Sequence, residues 1–277
     1  MAASYEAEWR ARFGADAGLP SDVPELAWLR QVLTRRTHRR YSDRPVSEPL
    51  LRLLLATAFS ASSKSDFQQA SVIRVEESLK RQSLAALVGE MPWIGNSPVF
   101  LVFCGDARRL ERIAELRGHT HNNGKLEGFF NAALDAALVL QTFMLAAETA
   151  GLGCCPISVI RNHADAVANI LNLPDRVFPV AGLCLGYPAA PSHISMRLPL
   201  DVTLHTDRYD DTHLAEVVEA YDIRRDARYS IPPAQQRSPE IYGYASFYGW
   251  SEDKARQAIE PESGFSDYLR AHGFTLD

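Results

Sequence analysis

Apolar positions fall along the chain in blocks that predict alternating helices and strands. Ser21, Asp22 and Pro24 open a helix that runs through Glu25 and Leu26 to about Arg35, with a capping side chain and an early proline where helix starts favour them. Ser47 and Pro49 open a second helix, LLRLLLATAFSA, whose leucines cover more than one face and predict deep burial. SVIRVE (71–76) predicts a strand and 78–88 a helix. PVFLVFC (98–104) is a continuous apolar run bounded by turn signals, as a central strand should be. A helix from about Leu126 to Ala150 is ended by Gly151 and Gly153. A short strand is expected at 155–159. Asn162 or His163 caps a helix toward Leu173, and Pro174 stops it. VFPVAGLCLG (177–186) predicts a third central strand, and 213–225 a helix. A stretch rich in Tyr and Pro (229–250) and two short helical pieces complete the chain. Helices outnumber strands and there are no internal repeats, which predicts a layered α/β arrangement around one sheet.

Composition narrows the classes. The chain has 277 residues, 46% of them hydrophobic and 23% charged, an ordinary globular balance. At this length a domain buries roughly 70–75% of its unfolded surface and needs no disulfide or metal staple. With 29 basic and 34 acidic residues the net charge is −5, which argues against a general nucleic-acid binder. The most apolar window, 132–153, is broken by Asp135, Gln141 and Glu148, so it is expected to be a buried helix and not a membrane span. None of the four cysteines forms a C-x-x-C pair, which removes zinc-ribbon and thioredoxin readings. Cys104 and Cys184 lie in apolar runs and are expected to pack as small core residues. The vicinal Cys154-Cys155 pair is the one redox candidate. The first residues show no basic region followed by an apolar stretch, so no secretory signal is expected and a reduced, cytoplasmic protein is.

Four segments carry candidate chemistry. Arg35-Arg36-Thr37-His38-Arg39-Arg40-Tyr41 puts four arginines and a hydroxyl where a helix runs out. Guanidinium forks pair bidentately with phosphate, and a hydroxyl adds a hydrogen bond; a solvated charged face explains the same residues. Residues 60–69, SASSKSDFQQ, are dense in hydroxyls and amides able to address a polar ring edge, or form a plain loop. Residues 151–162, GLGCCPISVIRN, bracket a strand with glycines but lack the G-x-G-x-x-G of a dinucleotide fold. Gly186-Tyr187-Pro188 and then Met196-Arg197-Leu198-Pro199 place another arginine in a loop after a central strand. His119 and His121 have no third ligand at usable spacing, so no metal is expected.

In this order, RRTHRRYSDRPV, SASSKSDFQQ leading into SVIRV, PVFLVFCGD, AGLGCCPISVIRN, and LPDRVFPVAGLCLGYP with MRLP resemble the FMN-dependent nitroreductase family. The resemblance runs from about residue 25 to the end of the 213–225 helix. GLCLGYP, RLP and the terminal SDYLRAHGF are most similar to its oxygen-insensitive NADPH nitroreductase and flavin reductase branch. It implies an α+β, nitroreductase-like layered fold with a central mixed β-sheet flanked by helices, in a domain-swapped homodimer with FMN at the subunit interface. It also implies an N-terminal extension (1–24), one FMN-binding domain (25–277) and a C-terminal excursion (about 226–277) packing on the dimer partner.

Carried over by resemblance, Arg35 and Thr37 match FMN phosphate ligands, joined by Arg197. Arg36 and Arg39 match positions at the ribityl chain and pyrimidine edge. Ser62, Ser63 and Gln68 match the loop holding the ribityl chain and ring edge. Ile157, Ser158 and Val159 match a run whose backbone N–H groups approach flavin N5 and O4. The implied activity is ping-pong hydride transfer from NADPH or NADH through FMN to a nitroaromatic, quinone or free flavin, with no obligatory catalytic side chain. Another reaction on the same fold, such as reductive dehalogenation or double-bond reduction, is the alternative, followed by a non-catalytic ligand-binding role. Neither nucleic acid nor membrane is an expected partner.

Three departures stand out: Ser195 where the branch tends to carry a phosphate-binding lysine, Met91 where a glutamine meets the ring, and Cys154-Cys155-Pro156 with Ser158-Val159 in place of a glycine-richer run. Arg224, Arg225 and Arg228 suit the 2′-phosphate of NADPH or a solvated helix end. Tyr229, Tyr242, Tyr244, Phe247, Tyr248 and Trp250 line a substrate pocket or anchor a tail on the partner.

Overall fold

A computed structural model describes residues 5–16, 26–89, 91–121, 123–258 and 264–276. In chain order its first elements are α1 (Glu6–Phe13), α2 (Ala27–Leu33), α3 (Glu48–Ala58), β1 (Ala70–Arg74), α4 (Ser78–Leu87), α5 (Trp93–Asn96), β2 (Val99–Asp106) and α6 (Arg108–Leu116). They are followed by α7 (Leu126–Thr149), β3 (Gly153–Ile157), α8 (Ala164–Leu171), β4 (Val177–Gly186), α9 (Leu200–Thr203), α10 (Leu214–Tyr229), α11 (Pro239–Tyr242), α12 (Trp250–Ala258) and α13 (Phe265–Ala271). The chain divides into two compact units, residues 1–35 with 194–261 and residues 36–193 with 262–277.

The second unit holds the sheet, in the order β1-β2-β4-β3. All three pairings are antiparallel. The expected mixed sheet is therefore antiparallel in its described strands, and the parallel contacts among the described residues are one-residue bridges, Thr37 to Cys154 and Lys125 to Thr275. β2 is buried at every position because both faces are covered. Val99, Leu101 and Phe103 point into a layer with α3 and α7, while Phe100, Val102 and Cys104 point into a layer with α4, α5 and α8. A strand alternates its side chains across the sheet, so two covered faces give one unbroken apolar run. Pro179 is accommodated in central β4 by a bulge opposite Phe103 and Cys104.

α7 is long and apolar enough to cross a membrane by length and composition. Its inward face, Ala132, Ala136, Val139, Phe143 and Ala147, is buried on the sheet layer. The deep burial expected of this helix holds for that face alone. Leu126, Phe130, Leu134 and Leu138, spaced by four, remain 44–56% exposed. The same holds for α3, where Leu51 and Leu54 are buried but Leu53 is 63% exposed. Part of the stretch expected to pack on a partner sits instead in its own unit: Tyr268, Leu269 and Phe274 are buried with Phe178 and Ala132.

The first unit is helical in its described residues. Arg30 pairs with Glu8 at 2.6 Å and lies over the Tyr5 ring, which fixes α1 on α2. Asp222, buried on α10, accepts the Ser251 N–H at 3.1 Å and its hydroxyl, holding the first turn of α12. Trp250 meets Tyr221 edge-on at 5.4 Å.

Element positions differ from expectation in three places. The start of the first expected helix, 21–25, lies outside the described residues, and its end is Leu33, not Arg35. The strand expected at 155–159 is β3, two residues earlier, and Ser158–His163 forms a 3₁₀ turn. α6, α1 and the one-turn helices α5, α9 and α11 were not anticipated.

Candidate functional site

The arginine segment leaves the first unit after Arg35 and runs beside the free edge of β3. The His38 N–H donates to Cys154 O at 3.0 Å, Ser42 N–H to Tyr187 O at 2.9 Å and Ala189 N–H to Arg40 O at 3.0 Å. Two glycines make this approach possible. A Cβ on Gly153 would stand 2.8 Å from His38 Cβ and 2.9 Å from Pro188 Cγ, and one on Gly186 would stand 2.9 Å from the Tyr41 ring. The Tyr41 hydroxyl donates to His38 O at 2.6 Å and Cys184 O at 3.2 Å, and burial pushes its pKa upward. Arg36 donates to Ser192 O at 3.1 Å, and the Ser192 hydroxyl donates to Thr37 O at 2.5 Å.

These contacts surround a cavity of about 660 Å³. Thr37, Arg39, Arg40 and Tyr41 line it together with Trp93 and Asn96 of α5 and the 190–193 loop. Among the described residues, no carboxylate lines it. The Arg39 guanidinium lies 5.4 Å over the Trp93 ring, a cation–π arrangement. Burial pushes the Cys155 thiol up, while the adjacent Arg39 charge and hydrogen bond pull it down. Cys104 and Cys184 are pushed up to about 12 by burial, as core cysteines should be. All four cysteines are free and buried, so the redox role considered for Cys154-Cys155 has no accessible sulfur.

The hydroxyl loop lines a second cavity of about 390 Å³, which shares no lining residue with the first. Its shape is set from α7. Asp135, 2% exposed, accepts the Ser63 hydroxyl at 2.7 Å, the Lys64 N–H at 2.9 Å and the Gln69 N–H at 2.9 Å. Ser63 Oγ in turn accepts the Gln68 N–H at 2.6 Å. Ser63 thus spends its hydroxyl inside the loop, while Ser62 and Gln68 are exposed at the surface. Ser65, Asp66 and Gln68 adopt positive φ of 51–59°, a costly backbone that the Asp135 bonds offset. Arg109 on α6 closes the far side, donating to Gln68 O and, at 3.0 Å, to Ala70 O.

The remaining expected residues divide by unit. The Ile157 side chain is buried in the core, leaving only its backbone for a ligand; Ser158 is exposed and Val159 half-buried in the turn that follows. Arg35 and Arg197 belong to the first unit. There, Arg197 is exposed and its N–H donates to Arg12 O at 2.8 Å. Arg224 and Arg228 also lie there, Arg228 donating to Ala11 O at 3.2 Å. Of the aromatic stretch, Tyr248 is buried, and Tyr244 and Phe247 are 69% and 50% exposed.

Sequence reasoning missed Arg12, Trp93, Arg109 and Asp135. Of these, Asp135 alone carries a sequence signal, a lone carboxylate in an apolar helix.

Comparison with known proteins came out in one direction. Residues 32–187 match the model of the nitroreductase family, and residues 195–277 that of the nitroreductase family C-terminal domain. An FMN reductase [NAD(P)H] of Bacillus subtilis is 34% identical over 70% of this chain and 79% of its own length. An oxygen-insensitive NADPH nitroreductase of Salmonella typhimurium is 31% identical over 78% of this chain and 95% of its own. The solved structure of a nitroreductase from B. subtilis superposes with a TM-score of 0.80, at 30% identity, covering 89% of this chain and 98% of that one.

Proposed function

The chain belongs to the nitroreductase family, and on that premise we propose that its arginine segment and hydroxyl loop hold FMN and that it acts as an FMN-dependent NAD(P)H oxidoreductase. The observation that carries this reading is the donor set of the larger cavity. Guanidinium forks and a threonine face a space of about 660 Å³, and no carboxylate among the described lining residues neutralises them. That volume falls within the usual range for cofactor and small-molecule sites, and the donors suit an anionic ligand with a phosphate at one end.

When bound, FMN supplies the redox step itself, accepting hydride from a reduced nicotinamide and passing it to a second substrate in a separate half-reaction. The protein's part is binding and electrostatics. By the resemblance, Arg35 and Arg197 of the first unit and Thr37 of the second are matched to the phosphate. Arg36 reaches the ribityl chain. Arg39, held over the Trp93 ring, would stabilise negative charge at the pyrimidine edge. Ser158 and Val159 offer backbone N–H groups from the turn after β3. Ser62 and Gln68 present polar groups from a loop that Asp135 holds rigid. No side chain has to serve as acid or base.

The acceptor is a small aromatic: a nitroaromatic, a quinone or free flavin. The unit of function is a homodimer. The exposed stripe of Leu126, Phe130, Leu134 and Leu138 supports this, because a face this apolar is characteristic of an interface. The resemblance implies FMN at the subunit interface, and the arginine segment and hydroxyl loop, which line separate cavities of one chain, fit a site completed by a second copy. Free thiols fit the cytoplasm, where reduced nicotinamide is made.

The visible spectrum of the purified protein, before and after anaerobic NADPH or NADH, tests this reading. Flavin bands that bleach are expected, followed by reoxidation with a panel of nitroaromatic, quinone and flavin acceptors. Absence of flavin bands even after adding FMN overturns it.

A further inference from the structure

The N-terminal helix α1 lies outside the stretches matched by the family models, yet its last turn carries a buried arginine, Arg12, 5% exposed. A guanidinium is costly to bury unless its donors are satisfied. Those of Arg12 go to backbone carbonyls on two separate stretches of the first unit. Nε–H donates to Leu33 O at 2.9 Å and Nη2 donates to Arg35 O. Nη1 donates to Ser195 O at 2.7 Å. The backbone closes the same circuit, with Arg197 N–H donating to Arg12 O at 2.8 Å.

Leu33 is the last residue of α2, so one planar fork caps that helix end, complements its dipole and ties it to the 195–197 loop. The loop is fixed further by Tyr221, whose hydroxyl donates to Met196 O at 3.3 Å, and by Met196 packing on Gly14. Met196 is 4% exposed, whereas Arg197 beside it is exposed. The backbones of Arg35 and Arg197 are therefore both bonded to one residue, and Arg35 and Arg197 are the two arginines assigned above to the phosphate.

We propose that Arg12 is a positioning residue for the FMN phosphate: it sets the spacing of Arg35 and Arg197 without touching the ligand. The inference rests on the assignment of those two arginines to the phosphate. It gives the N-terminal segment a specific task, and it offers a way for this chain to hold the phosphate although Ser195 stands where its branch tends to carry a lysine.

The test compares FMN with riboflavin, which lacks the phosphate. Dissociation constants of both flavins for the apoprotein are measured by fluorescence quenching in wild type, Arg12→Lys, Arg12→Met, Arg35→Gln and Arg197→Gln. Wild type should prefer FMN. Both Arg12 variants should lose about tenfold in FMN affinity, the scale of one charge-assisted contact, with riboflavin affinity unchanged within twofold. An FMN-to-riboflavin ratio equal to wild type, or equal losses for both flavins, overturns the proposal. So does failure of both Arg12 variants to give folded apoprotein by circular dichroism, because Arg12 is then a structural residue only. If wild type does not discriminate, or if Arg35→Gln and Arg197→Gln leave the ratio intact, the phosphate assignment itself has failed.

Discussion

The Ser63 hydroxyl donates to the Asp135 carboxylate across 2.7 Å, joining a surface loop to the middle of the longest helix. Two backbone N–H groups of the same loop, those of Lys64 and Gln69, complete the carboxylate's shell. Asp135→Asn keeps the shape but replaces one acceptor oxygen with a donor, leaving at least one of those partners unmatched. The expected cost is about 1–3 kcal/mol of stability, as for a buried polar group left unsatisfied. Thermal unfolding measures it. FMN affinity should fall as well if the loop contributes to the site.

Arg39→Ala should weaken FMN binding by about tenfold or more and slow reduction by nicotinamide, because a positioned charge is lost at the ring edge. Arg39→Lys should recover binding only in part, since a lysine keeps the charge but not the fork. Fluorescence titration and anaerobic stopped-flow reduction read the two effects separately. Unchanged values in both would remove Arg39 from the site.

Gly153→Ala tests the approach of the arginine segment to β3. The added methyl would stand 2.8 Å from His38 Cβ, a contact that backbone movement must relieve. A loss of about 1–3 kcal/mol is expected, the usual scale of overpacking, together with weaker FMN binding. A fully stable variant with wild-type affinity would show that the segment tolerates displacement.

The face formed by Leu126, Phe130, Leu134 and Leu138 should respond to charge. Leu134→Glu is expected to shift the protein from dimer to monomer in light scattering, and to lower FMN affinity with it. The exposed position itself imposes little folding cost. A wild-type protein that is monomeric and fully active at assay concentration would refute the shared site.

Alkali should destabilise the fold through Cys104 and Cys184. Their folded values lie near 12, above the ordinary 9.0, so the unfolded state releases protons first as pH rises. The stability contributed by the buried neutral thiols is complete below pH 9 and is lost between 9 and about 12. Denaturant midpoints across that window should fall with pH, and native thiols should resist alkylation at neutral pH.

Much of this fold was legible because burial leaves a mark on local pattern. β4 was placed at 177–186 from an apolar run that exists because both faces of the sheet are covered. The arginine cluster and hydroxyl loop were visible for their composition. The rest depended on contacts distant in sequence. Arg12 bonds a carbonyl 183 residues away, and the Ser63 hydroxyl turns inward to a residue 72 positions later. Nor did any pattern mark the chain's departure from its first unit at residue 35 and its return at 194. The stripe on α7 reads like core because leucines look alike in sequence whether they are buried on a sheet or left exposed.

The bridge from Thr37 to Cys154 has a bearing on solubility. Among the described strands β3 pairs with β4 alone, so beyond the Thr37 bridge its other side is the kind of edge on which a foreign strand can add. Pro156 removes one donor from the strand, and Thr37 and His38 cover its first residues under a run of arginine charge. The segment that we assign to cofactor binding therefore also blocks edge-to-edge association. Variants that detach it should aggregate before they unfold.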